Sequence, residues 1–319
     1  MTALATIQKQ KTQSPEDLLT IFAKAAVTVH FPEVDQYGNP NLGRFLIEHG
    51  RLPIVTDDVK PWSYRGWIVP YIQMCELHPD VAPRYGYVER TIQAGKILNE
   101  PIPKINFVGE GSREAAEGTK MLGNLVRTVE QRTGYSRGIE QLCEWLAFGL
   151  GAAHEPSKLD DEIQEQLYRQ FDVSRWLLRP TDYIGQYLAE VGHAKGGGFF
   201  PTPMNVCVMM AEMTHGHAGR SITDTVCDPC VGTGRLLLAS SNYALRLFGV
   251  DINHLCVLAT KINLALYAPW FYIPDSFFPE QRVTEPPPAV DAKVDGTRRS
   301  TGEPKVFTTK IEQPTLFDL

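Results

Sequence analysis

Apolar residues recur at helical spacing through much of the first 195 positions and switch to a mixed rhythm beyond them. Ser14 precedes Pro15, Glu16 and Asp17, a helix-start pattern, and Leu18, Leu19, Ile21, Phe22 and Ala25 then fall on one face. Gly38-Asn39-Pro40 breaks the chain. Trp67 to Leu77 reads as a mostly apolar, buried helix that stops before His78-Pro79. Ser112 to Thr133 predicts a polar-faced helix with Met121, Leu122, Leu125 and Val129 on its inner side. Further helices are expected over Ile139 to Leu150 and, as one continuous element, Asp160 to Leu178, with Ile163, Leu167, Phe171 and Trp176 inward. Strand-like runs are scarce here, so residues 1–195 read as a mainly helical domain.

From Gly196-Gly197-Gly198 onward helix and strand alternate. The expected order is helix Met204 to Met213, strand Ser221 to Cys227, a glycine turn, helix Gly234 to Leu247, strand Phe248 to Asp251 and helix Leu255 to Leu266. Such alternation predicts an α/β domain over 196–278, with parallel strands joined by crossover helices. Residues 279–319 hold Pro286-Pro287-Pro288, mixed charge and few aliphatics. That composition buries too little apolar surface to offset ordering entropy, so a flexible tail is expected.

Composition narrows the class. The chain is 43% hydrophobic and 21% charged over 319 residues, as globular proteins are. No run is long and apolar enough for a membrane span, and Met1 to Ser14 lacks a signal peptide's apolar core. Six cysteines make no disulfide scaffold at this length, so a cytoplasmic location is expected. Net charge is −6, so the chain as a whole is no electrostatic magnet for nucleic acid, although a local basic face would still bind it.

The chemistry concentrates at Thr225-Val-Cys-Asp228-Pro229-Cys-Val-Gly232-Thr233-Gly234. A strand ends at a carboxylate, and glycines turn sharply into a helix. Backbone can then approach a ligand closely, and free helix N–H groups face it. The next strand ends at Gly249-Val250-Asp251, a carboxylate placed to accept from two ribose hydroxyls, as in sheets that bind adenosine-type ligands. Neither a dinucleotide G-x-G-x-x-G nor a P-loop Gly-Lys-Ser/Thr is present, so the turn alone indicates only a nucleotide-type ligand.

These residues, with their flanks, resemble the N-6 adenine DNA methylases, especially the modification subunits of type I restriction systems. Asp228-Pro-Cys-Val-Gly-Thr-Gly234 resembles that family's S-adenosylmethionine loop, and Asp182-Tyr-Ile-Gly-Gln-Tyr-Leu-Ala-Glu190 its preceding segment. Gly198-Phe-Phe200-Pro-Thr202-Pro203 is similar to the element that closes over the methionine end of the cofactor, with one extra Pro. Gly249-Val-Asp251-Ile252-Asn253 resembles the ribose-binding strand end, and Pro274-Asp275-Ser-Phe277, more weakly, the element beside the adenine ring. The resemblance runs from Asp182 to Phe277. It implies a Rossmann-like class I methyltransferase sheet behind a mainly α N-terminal domain. It also implies S-adenosylmethionine as cofactor, bound by Phe200, Thr202, Pro203, Asp228, Pro229, Gly232, Thr233, Gly234, Asp251, Ile252 and Asp275, and DNA as the partner.

The family's catalytic run, Asn/Asp-Pro-Pro-Phe/Tyr, is absent from this sequence. In that run a polar side chain and a prolyl carbonyl accept from the adenine amine while the ring stacks on the flipped base. Ala268-Pro269-Trp270-Phe271 has the ring without the acceptor, and Glu285-Pro286-Pro287-Pro288 the acceptor without the ring. No catalytic residue is therefore assigned. About three strands are expected where a full methyltransferase sheet has seven. The expectation is a protein weak or inactive on its own, a methylase-derived accessory factor, or half of a split enzyme working with a second methyltransferase or specificity subunit.

The end of the sequence, Gln313-Pro-Thr-Leu316-Phe317-Asp-Leu319, is similar to peptides that dock on the bacterial sliding clamp: two apolar anchors, a Gln that hydrogen-bonds, and a linker giving reach. Cys227 and Cys230 have C-x-x-C spacing without a second pair, so they read as packing beside the turn and no metal is assigned. Trp62, Tyr64, Trp67 and Tyr71 are expected in the core rather than stacked on bases.

Overall fold

The computed structural model describes residues 60–63, 65–133, 138–191, 200–216 and 219–279. The helix expected at 14–25, Tyr64, and the tail with Gln313, Leu316 and Phe317 lie outside the described residues. The first helices are α1 (Val69–Cys75), α2 (Arg84–Ala94), α3 (Ala116–Thr133) and α4 (Gly138–Gly149). They are followed by α5 (Asp161–Gln170), α6 (Ser174–Leu178) and α7 (Tyr183–Glu190). Then come α8 (Met204–His215), β1 (Thr225–Asp228), α9 (Arg235–Ser240), β2 (Arg246–Gly249) and α10 (His254–Tyr267). The described residues thus form a helix-rich α/β structure with a two-stranded parallel sheet. No described helix is long and apolar enough to cross a membrane.

Local chemistry explains most boundaries. The Ser112 hydroxyl accepts from Glu114 N ahead of α3, which then buries Met121, Leu122, Leu125, Val126 and Val129 along one stripe. Asn253 caps α10 by accepting from the Leu255 and Cys256 amides. Helix α2, which hydrophobic spacing does not reveal, starts at Pro83 without a cap of its own. The Glu76 carboxylate supplies one from α1's end, accepting from Tyr85 N at 2.7 Å and Gly86 N at 2.9 Å.

Three expectations need correction. Asp160 to Leu178 is not one helix: Phe171 is extended, and the Asp172 carboxylate accepts from Ser174 N and Ser174 Oγ, starting a new turn at α6. Asp172 competes for the backbone donors that a continuous helix would use. The helix after the glycine turn ends at Ser240 instead of running to Leu247, because Asn242 leaves it to bond both the amide and the carbonyl of Ile105. The sheet has two strands among the described residues, not three. After α10 the described chain forms short 3₁₀ turns at Trp270–Tyr272 and Asp275–Phe277, punctuated by Pro269 and Pro274.

One hydrophobic core runs from Trp62 to Phe278 and joins the helical region to the α/β region. Trp62, Trp67 and Tyr71 are buried in it, around Tyr168. A smaller cluster of Val226, Val231, Leu237 and Ala244 sits under the sheet. Arg84 stitches the regions together. Its buried guanidinium donates to Pro103 O, Ser241 Oγ, Tyr267 O and Asn242 Oδ1, and burial lowers its pKa to about 9.

Parallel pairing of β1 and β2 sets Asp228 opposite Gly249. The carboxyl ends of both strands therefore open on the same side, where ligands bind in open α/β sheets.

Candidate functional site

The turn after β1 is pinned at both ends. Val231 N donates to Val250 O, Val250 N to Asp228 O, and Gly234 N to Val231 O. The Thr260 hydroxyl of α10 donates to Gly232 O. Gly232 has φ +54° and Gly234 φ +90°, a left-handed backbone that L side chains rarely adopt. Asp228 Oδ1 accepts from Cys230 N at 3.0 Å, tightening the first half of the turn. Asp251 Oδ2 accepts from Gly232 N and its Oδ1 from Asn253 N, both at 2.8 Å. The carboxylate after β2 is thereby locked to the loop after β1.

These elements line a cavity of about 450 Å³, within the range of small-molecule and cofactor sites, roughly 300–1,000 Å³. One wall is the turn, with Asp228, Cys230, Val231, Gly232 and Thr233. A second is Asp251, Ile252 and Asn253, and a third is Phe200, Pro201 and Thr202 ahead of α8. Ile252 is 90% exposed and Phe200 82%, so two large apolar side chains stand in water at the rim.

Of the residues expected to hold a ligand, Phe200, Thr202, Asp228, Gly232, Thr233, Asp251 and Ile252 all line this cavity. Pro203, Pro229, Gly234 and Asp275 do not. Pro203 precedes α8 and Pro229 sits exposed in the turn, whereas Gly234 is turned inward against Thr260. Asp275 lies in an exposed 3₁₀ turn after α10. Cys227 and Cys230 are both exposed, and Cys230 faces the cavity; the expectation that they pack beside the turn is corrected. The turn directs Val226 and Val231 inward and leaves the alternate positions outside. Among the described residues no His/Cys/Asp/Glu group is arranged to hold a metal ion.

Beneath the turn lies a polar hub that no local pattern announces. Asp182, 1% exposed, caps α7 by accepting from Gly185 N at 2.8 Å. Its Oδ1 also accepts from Asn263 Nδ2, and its Oδ2 from the Thr233 hydroxyl and from Arg235 Nε at 2.7 Å. Arg235 is 5% exposed, and its Nη1 donates to Glu110 Oε1 and to Thr202 O. Asn263 Nδ2 further donates to Thr233 O. Both carboxylate oxygens of Asp182 are satisfied and its charge is paired, the arrangement a buried ion needs. One sequence clue exists: Arg235 opens a helix otherwise made of Leu, Ala and Ser, a position where a cation stays only with buried partners.

Two further lining residues are thiols. Burial pushes Cys207 up to about 11 and Cys256 up to about 12, the second also through the Asp251 charge. Both stay protonated at neutral pH and behave as small apolar surface, not as nucleophiles.

No curated protein and no solved structure matches the chain. Residues 181–268, the span from the hub's Asp182 through the cavity walls to the end of α10, match the family model of the N-6 DNA methylases.

Proposed function

We propose that this protein binds S-adenosylmethionine in the cavity and acts on DNA as an N-6 adenine methyltransferase-like protein, weak or inactive on its own. The observation that carries the reading is the meeting of the glycine turn, Asp251 and the Phe200–Thr202 segment around one cavity inside the family match.

The residues present fit the cofactor. Each Asp251 oxygen takes one backbone N–H and keeps a lone pair for a ribose hydroxyl. Ile252 and Phe200 offer apolar faces that a flat ring or a methylene chain would cover. The lining carries Asp228 and Asp251, while its guanidinium, Arg235, is already engaged by Asp182 and Glu110. Such a wall favours a cationic ligand. When bound, the cofactor's sulfonium makes its methyl group electrophilic. In this reading the turn orients the cofactor, and Phe200, Pro201 and Thr202 limit water on one side. The sheet belongs to a Rossmann-like class I methyltransferase domain over 196–278, behind the helical domain 1–195 and ahead of the tail 279–319, in a cytoplasmic protein.

A second reading rests on two features of the 319 residues: no acceptor-Pro-Pro-aromatic run occurs among them, and they carry Gln313, Leu316 and Phe317 at clamp-peptide spacing. There the protein is a methylase-derived DNA-processing factor tethered to the sliding clamp, or half of a split enzyme completed by a second subunit. Transfer of labelled methyl from S-adenosylmethionine to unmethylated DNA separates these. The proposal expects little or no incorporation by the protein alone, and adenine as the labelled base wherever it occurs. Label on another base sinks the N-6 reading. Clamp binding that survives Leu316→Ala with Phe317→Ala sinks the tether, and label gained on adding a neighbouring gene product identifies a split enzyme.

A further inference from the structure

The third cavity wall is held by a residue nearly a hundred positions earlier in the chain. Glu110 lies in the segment before α3, which is itself fixed. Val108 N donates to Pro180 O, and the Thr181 hydroxyl donates to Val108 O. From there Glu110 Oε1 accepts from Met204 N at 2.8 Å and from Arg235 Nη1. Met204 is the first residue of α8, whose N-terminus has no side-chain cap of its own. Arg235 Nη1 also donates to Thr202 O at 3.1 Å. One carboxylate oxygen therefore gathers the amide that follows the wall and the cation that grips the wall's own carbonyl.

We propose that Glu110 is a positioning residue for the cavity: it latches the Phe200–Thr202 wall against the glycine turn and so sets how tightly the cavity holds its ligand. The proposal rests on the S-adenosylmethionine reading only for the choice of ligand. Without Glu110, Arg235 keeps Asp182 and Thr202 O as partners, so the hub stays paired, while α8 loses its cap and the wall loses one of its two holds. Glu110→Gln keeps an acceptor for the Met204 amide but removes the charge facing Arg235, and falls between wild type and Glu110→Ala.

Cys207 reports on the latch without any ligand. Its Sγ is 3.8 Å from Thr202 O, and the side chain is buried under the wall. Cys143, buried in α4, is the internal control. In a Cys227→Ser, Cys230→Ser background, labelling by a small maleimide is followed by mass spectrometry. The expectation is roughly tenfold faster labelling of Cys207 in Glu110→Ala, with Cys143 unchanged, and Glu110→Gln between. In the chain with its native cysteines, S-adenosylmethionine affinity by calorimetry falls in the same order, by about tenfold in Glu110→Ala. The proposal is overturned if Cys207 labelling is unchanged, if it rises together with Cys143, or if affinity stays at the wild-type value while the latch opens. Where Glu110→Ala does not fold, Glu110→Gln carries both measurements. If wild type binds no S-adenosylmethionine, the cofactor reading fails and labelling alone decides the latch.

Discussion

On the inner side of the glycine turn, Thr233, Gly234 and Arg235 are buried, and each is bonded to the chain around it. On the outer side, Cys230 of the turn and Ile252 of the loop after β2 stand in water, and Asp251 of that loop uses only part of its bonding capacity. The site thus has a face committed to stability and a face left incomplete. A fully satisfied buried network fixes geometry, whereas a rim of exposed apolar surface and spare acceptors is costly unless something binds there. The difference separates residues whose loss unfolds the protein from residues whose loss only empties the cavity.

The largest effect is expected on the inner face. Asp182→Ala leaves Thr233, Asn263 and one edge of Arg235 without their shared acceptor. A loss of about 3–5 kcal/mol is expected for breaking such a buried pair, read as a large drop in the urea midpoint. Gly185→Ala reaches the same end by steric means, since a Cβ there would sit 1.9 Å from Asp182 Oδ2.

Glu76, another largely buried carboxylate, sharpens the contrast, because backbone amides rather than an ion-paired cation hold it. Burial raises its pKa to about 7, against the pull of the backbone amides of Gly86, Tyr85 and Arg84 and the Arg84 charge. A carboxyl with a raised folded pKa binds its proton more tightly in the folded state. Stability therefore falls as pH rises from about 4.5 to about 7, by up to about 3 kcal/mol. Glu76→Gln should flatten that part of the stability–pH curve; an unchanged slope would show that the burial is compensated.

On the outer face the expectation reverses. Asp251→Ala should cost about 2 kcal/mol of stability for two lost backbone bonds, less than Asp182→Ala, yet weaken S-adenosylmethionine binding by about a hundredfold. Smallest is Ile252→Ser, with affinity reduced about threefold and no measurable change in the denaturation midpoint, since the side chain is already exposed. Equal stability losses at Asp182 and Ile252 would erase the distinction between the faces.

The outer face was largely legible in the sequence, because its signals are local. Asp228, the glycines and Asp251 sit at strand ends, where backbone geometry dictates residue type. The inner face was not. Asp182, Arg235, Asn263 and Glu110 meet across long stretches of chain, and no periodicity records such a meeting. Helix α2 leaves no aliphatic stripe in the sequence because its inward face is made of Arg84, Tyr85, Tyr87, Val88 and Thr91, of which only Val88 is aliphatic. The break between α5 and α6 was hidden because Ile163, Leu167 and Phe171 keep helical spacing up to it, while Asp172 diverts the backbone just beyond. The strand count was overestimated because α/β alternation promises further strands, whereas the described residues after α10 form short 3₁₀ turns punctuated by Pro269 and Pro274.

The most direct test is a calorimetric titration of S-adenosylmethionine into the wild-type chain and Asp251→Ala, with circular dichroism on both. The account predicts saturable one-site binding by the wild type and a loss of about a hundredfold in a variant that remains folded. A folded wild-type protein that binds no S-adenosylmethionine, or an Asp251→Ala variant that binds it equally well, would contradict it.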